Sequence, residues 1–97
     1  MNIFEFSAPT TGERFDTLFE NEKVRIVRIV SSDKVEPELY IQQEDEWVVV
    51  LEGEATLDMD GEQIRLGKGD TLFIPAGTPH RVTSTAKGTL WLAVHIY

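Results

Sequence analysis

The chain contains no cysteine. That excludes a disulfide scaffold, a thiolate nucleophile and any sulfur-ligated zinc or iron–sulfur centre, so a metal here would be held by nitrogen and oxygen ligands alone. Cationic residues are scarce as well: nine Lys and Arg stand against 17 Asp and Glu, a formal net charge of −8. Phosphate backbones and anionic lipids need clustered Lys and Arg, and here these are scattered singly, so neither nucleic acid nor membrane is expected as a partner. Long apolar runs are missing too. No segment approaches the ~20 residues of a membrane span, and the opening MNIFEFSAPTTGERF has no basic, apolar leader, which makes the cytoplasm the expected compartment. No Gly-rich loop precedes a helix, and Ser7, Ser31, Ser32 and Ser84 sit in no nucleophile-elbow context, so phosphate-cradle and serine-hydrolase readings fail. The acidic cluster Glu36, Glu38, Glu44, Asp45 and Glu46 lacks the spacing of a calcium loop and reads as a solvated face.

What is present is a small core's worth of apolar residues, 41% of 97, consistent with one domain over 1–97. Within it, residues 1–22 read as an arm and short helix and 23–97 as a barrel. Ile3 to Phe6 suits an edge strand. Thr10 and Glu13 stand at capping-box spacing ahead of Phe15, Leu18 and Phe19, a pattern that predicts the helix. From Lys23 onward the period falls to two and β-branched residues dominate. Breaks follow at Ser31–Pro37, Gln43–Asp45, Asp60-Gly61, Gly67–Asp70, Pro75–Pro79 and Thr83–Gly88, and Asp60-Gly61 is a strong hairpin signal. About eight short strands at this spacing predict an all-β jelly roll. Trp47, Phe73, Trp91 and Tyr97 are expected to be packing residues.

The segment Gly69-Asp70-Thr71-Leu72-Phe73-Ile74-Pro75-Ala76-Gly77-Thr78-Pro79-His80 resembles the second motif of the cupins: Gly, five residues, Pro, one residue, Gly, two residues, His. The closing Asn of that motif is replaced by Ser84. Glu46 followed by six residues and then Gly53 resembles the back half of the first cupin motif, but the two histidines that precede the glutamate in the family fall here on Tyr40 and Gln42. The run from Gly12 to Tyr97 is similar to small single-domain bacterial cupins.

The resemblance implies a cupin-type β-barrel, and a homodimer by analogy. It also implies an interior site for one divalent metal (Zn, Mn, Fe or Ni) acting on a small polar organic molecule in an oxygenase- or isomerase-like reaction. The ligands it carries over are Glu46 and His80. Two ligands from separate strands rarely suffice, so Gln42 through its amide oxygen, Tyr40 through its phenol and His95 are the recruits. Strand alternation places Tyr40, Gln42, Glu46 and Val48 on one face unless the break at Gln43–Asp45 intervenes. With His95 inward, the set becomes two histidines and a carboxylate. His95 alternates with Leu92, Val94 and Ile96, however, and the aliphatics make the better core, which points His95 outward. Each residue also has a plainer role: His80 closing a turn, Glu46 paired with Arg81 or Arg65 or solvated, Gln42 and Tyr40 as pocket walls. In a metal-free barrel the same residues would hydrogen-bond a small ligand without catalysis.

Overall fold

The computed structural model describes residues 1–97 and contains eight strands: β1 Glu13–Glu20, β2 Val24–Ser31, β3 Asp45–Glu52, β4 Glu54–Met59, β5 Glu62–Gly67, β6 Thr71–Ile74, β7 His80–Thr85 and β8 Thr89–Ile96. They form two antiparallel sheets, one of five strands in the order β1-β2-β8-β3-β6 and one of three in the order β5-β4-β7. The jelly-roll arrangement expected from the spacing of breaks is present, and most breaks fall between strands. Asp60 (φ 51°) and Gly61 (φ 85°) make the two-residue turn between β4 and β5, with Met59 opposite Glu62, as Asp-Gly hairpins require.

The N-terminal helix does not form. Residues 13–20 are β1, which pairs along its length with β2. The capping-box spacing was outweighed by period two within the same residues: Glu13 and Phe15 border the cavity, Phe15 on its exposed side, while Asp16 meets Arg28 on the far face. A one-residue irregularity between Thr17 and Phe19 then shifts the register, which is why the apolar positions mimic a helical spacing. Ile3–Phe6 forms no strand either. This arm is held on the outer face by buried Arg28, whose guanidinium donates to the carbonyls of Ile3 (3.2 Å) and Glu5 (3.0 Å) and to Asp16 Oδ2 (2.8 Å).

The core lies between the sheets. Val48, Val50, Trp91 and Ala93 from the large sheet meet Ala55, Leu57 and Leu66 from the small one, all buried. Trp91 is a core residue as expected, whereas Phe73 and Tyr97 are largely exposed. The same inward parity that packs Val48 and Val50 brings Glu46 inward at the start of β3, and the parity of Trp91 and Ala93 brings His95 with it.

Candidate functional site

Toward one end of the barrel the core gives way to a cavity of about 90 Å³. All five residues singled out in the sequence line it: Tyr40, Gln42, Glu46, His80 and His95. Tyr40 and Gln42 arrive by a loop rather than by continuous strand alternation. The loop is pinned to the turn before β7: Tyr40 and His80 exchange backbone hydrogen bonds (2.8 and 3.0 Å), Gly77 N donates to Gln42 O (2.7 Å), and Ala76 N donates to Asp45 Oδ1 (2.8 Å). Gly77 adopts φ 78°, which lets the chain turn within the two residues between Pro75 and Thr78. The two motif-like segments are thereby docked to each other, and this docking sets Gln42 and Glu46 beside His80.

His95 faces the cavity, not the surface. The expectation that it points outward rested on the aliphatics Leu92, Val94 and Ile96 forming the core, but the core is built from the other parity of β8, Trp91 and Ala93. His95 therefore stands opposite Glu46 in the β3–β8 ladder.

The buried centre is Glu46, 7% exposed, with His80, 6% exposed. Gln42 Nε2 donates to Glu46 Oε1 at 2.9 Å. His80 Nε2 lies 3.8 Å from Glu46 Oε1, and His95 Nε2 lies 3.8 Å from Glu46 Oε2. Neither Arg81 nor Arg65 pairs with this carboxylate. The other ring nitrogens are both engaged: His80 Nδ1 with the carbonyl of Thr78 and His95 Nδ1 with Glu44 Oε2, each at 3.0 Å. A carbonyl and a carboxylate only accept, so each Nδ1 carries a hydrogen and each ring turns its Nε2 toward Glu46, a lone pair whenever that ring is neutral. One carboxylate and two imidazole Nε2 atoms thus converge, with no Lys or Arg among them.

Such a donor set suits a divalent cation. Imidazoles fixed through Nδ1 by a carbonyl and a carboxylate have the outer support that metal-binding histidines usually carry. The spacing is wider than a bound ion needs. Ligands about 2.1 Å from a tetrahedral ion stand about 3.4 Å from one another, against the 3.8 Å separations here, and no three His, Asp or Glu side chains are arranged at ligand distances. The chemistry of the donors fits, but the two imidazoles approach different oxygens of Glu46, so the side chains would have to close on one another to ligate a shared ion.

Two recruits stand differently from the expectation. Gln42 presents its amide nitrogen, not its oxygen, to the centre, and serves Glu46. Tyr40 stacks on His80 (centroids 5.8 Å apart, planes at 27°) and donates its hydroxyl to Glu38. Burial and then the neighbouring Glu38 charge push its phenol upward from the usual range.

Glu13 was missed. It lines the same cavity from β1, and burial, with a smaller contribution from Glu46, raises its carboxyl above the ordinary glutamate range despite a hydrogen bond from Ser31. No local spacing singles it out among the polar residues of that segment.

Comparison with known proteins agrees with this architecture. Residues 26–95 match the cupin domain family. A provisionally assigned mannose-6-phosphate isomerase from Ralstonia eutropha JMP134 is similar over 99% of this chain and 95% of its own, with 34% identity and a TM-score of 0.91. KdgF from Halomonas sp. shares the fold at 17% identity and a TM-score of 0.81, over 88% of this chain and 78% of that one. An uncharacterised protein of Methanocaldococcus jannaschii is 40% identical over 38 residues, 39% of this chain, and the match spans 30% of that protein's length. A family match across both sheets, joined to the Glu46 and His80 segments docked around one interior cavity, makes this chain a member of the cupin family.

Proposed function

We propose that the chain is a small metal-dependent cupin enzyme whose centre, His80, His95 and Glu46 with Gln42 beside it, takes one divalent ion of the Zn, Mn, Fe or Ni type. The carrying observation is the pair of imidazoles whose Nδ1 atoms are occupied by Thr78 O and Glu44, which leaves both Nε2 atoms facing one buried carboxylate. Bound there, the ion supplies Lewis-acid polarisation of a ligand oxygen. The chain's own residues do the rest: Gln42 orients Glu46, the Tyr40 ring covers His80, and Ile29, Val48, Leu57, Ile74, Val82 and Trp91 limit water around the reacting molecule.

A cavity of about 90 Å³ suits a molecule of a few heavy atoms. Of the reactions the resemblance allows, we assign an isomerase-like rearrangement of a small polar organic molecule, supported by the 34% identity to the provisionally assigned isomerase. The competing reading is a metal-free binding or sensing barrel, favoured by the Gln42 amide that already satisfies one oxygen of Glu46.

Metal content decides between them, measured by plasma mass spectrometry on protein purified without an affinity tag or chelator. Near-stoichiometric metal in the wild type, lost in Glu46→Ala, His80→Ala and His95→Ala, is the expected result. A wild type that stays empty after Zn, Mn, Fe and Ni are added back refutes the proposal and leaves the binding barrel.

A further inference from the structure

Three acidic residues of this chain are matched to Lys or Arg: Asp16 to Arg28 and Arg14, Glu20 to Arg25, Glu52 to Lys68. Glu13 is different. It has no cation within ion-pair distance, and its one side-chain partner is a hydroxyl, Ser31 Oγ–H donating to Oε2. Ser31 is fully buried and is itself oriented by Trp91 Nε1–H, which donates to its oxygen at 3.0 Å. The indole occupies the hydroxyl's acceptor side and so directs the Ser31 hydrogen at Glu13, leaving Oε1 free of protein partners. This fixed relay is built from the cross-strand pair Glu13↔Ser31 and the neighbouring strand β8.

The carboxyl it holds stands at a junction. Glu13, Phe15 and Tyr40 line both the interior cavity and an outer cleft. The titratable groups around Glu13 are Glu46, His80, His95 and Tyr40 on the cavity side, and Lys34, Glu36 and Glu38 on the cleft side. Glu13 thus stands where the cleft and the cavity adjoin.

We propose that Glu13 is the proton-transferring residue of the site, a general base and acid that ligates no metal and acts on small α-hydroxy carbonyl compounds. The inference rests on the isomerase reading above and names its substrate class. In the step assigned to it, the Glu13 carboxylate takes the proton from the carbon that bears the hydroxyl. The C–H pair becomes the new C=C bond, and the carbonyl π pair moves onto oxygen. Glu13 then returns the proton to the former carbonyl carbon while the hydroxyl proton passes between the two oxygens, so that substrate and product are isomers and no co-reactant is consumed. Burial strengthens this base, because a carboxyl raised toward the working pH is a better proton acceptor than an ordinary glutamate and still gives the proton back.

The test is exchange of the carbon-bound protons of dihydroxyacetone in D2O, followed by proton NMR with metal-loaded protein. It is paired with a carbon-13 titration of the Glu13 carboxyl in metal-free protein. The wild type is expected to exchange, and Glu13→Gln to lose roughly 10²- to 10⁴-fold in rate while retaining fold and metal content. Ser31→Ala removes a donor that favours the ionised form, so it should move the Glu13 midpoint, and with it the acid limb of the rate profile, to higher pH.

Wild-type exchange in Glu13→Gln overturns the proposal. So does a Glu13 that titrates as an ordinary glutamate and ignores Ser31→Ala, or a metal-loaded wild type that does not exchange. Exchange that survives metal removal and disappears with Glu13 keeps the residue's role and removes the cation, which separates failure of this inference from failure of the metal centre.

Discussion

Gly53 and Gly61 adopt the same backbone conformation, φ 85° at each, but in different surroundings. A Cβ added at Gly61 meets nothing within 4 Å, whereas one at Gly53 would stand 2.5 Å from Thr89 Oγ1 and 2.9 Å from Thr89 Cα. Replacing either by alanine forces a side chain into the left-handed region, at about 1–2 kcal/mol in both cases. Gly53→Ala alone must also displace Thr89. Its Oγ1 lies 2.7 Å from Ala86 O and 3.0 Å from Glu54 O, and the clash includes its backbone, so rotation of the Thr89 side chain cannot relieve it. Overpacking of this kind costs about 1–3 kcal/mol more. The two variants should therefore differ by about 2 kcal/mol, or roughly 10 °C in melting temperature at this chain length. Urea and thermal unfolding of both measure it. Because Glu46 and His95 sit at the far ends of β3 and β8 from this turn, metal content per folded molecule should not change. Equal destabilisation of the two variants would refute the close packing of Gly53 on Thr89, and with it the reason a glycine is needed seven residues after Glu46.

Three other consequences are open to measurement. Glu44→Gln weakens the acceptor that fixes His95 through Nδ1, and metal affinity measured by chelator competition should fall about 10- to 100-fold; an unchanged affinity would remove Glu44 from the site. Asp16 is held below the ordinary carboxylate range, first by its hydrogen bonds from Arg28. Its contribution to stability is therefore present above the unfolded-state value and is lost as pH falls through the depressed folded one. Amide exchange in residues 2–6 should rise over that acidic window, and a flat profile would show that Asp16 does not help Arg28 hold the arm. On the outer face of the large sheet, Trp47, Phe73 and Val94 are register neighbours and Phe73 is 48% exposed, an apolar surface suited to a second copy of the chain. Sedimentation velocity should find a dimer that Phe73→Glu splits, and a wild-type monomer would end that expectation.

Much of the barrel was legible because turns and pleats write themselves locally. Asp60-Gly61 carries its own positive φ requirement, and the Pro75–His80 spacing encodes a turn whose partners, Gln42 O and Asp45 Oδ1, lie on the segment that delivers Glu46. Where local signals competed, the tertiary one won. Residues 10–19 satisfy a helix cap and a helical stripe, but isolated helices of this length are marginal in water. β1 instead gains a full ladder with β2.

The site shows where single-strand reasoning stops. The sequence offers β8 two faces, and counting aliphatics chose Leu92, Val94 and Ile96 as the core, which turned His95 outward. Inside the barrel the deciding quantity is the match to β3, where Val50, Val48 and Glu46 stand opposite Trp91, Ala93 and His95. Large and small residues interleave there, and the polar pair falls at the cavity end. Glu13 depends on the same kind of information. Nothing within residues 10–20 marks it as more than a polar position, and its environment comes from Ser31 on the next strand and Trp91 on the one after. A carboxyl separated from its orienting groups by 18 and 78 residues cannot announce itself by spacing. What makes it conspicuous is the comparison with Asp16 three positions along: both acids come from one strand, one faces the guanidinium of Arg28 and is depressed, and the other faces the barrel interior, has no cation and is raised. Parity on a single edge strand has thus divided two carboxylates between holding the arm and serving the cavity.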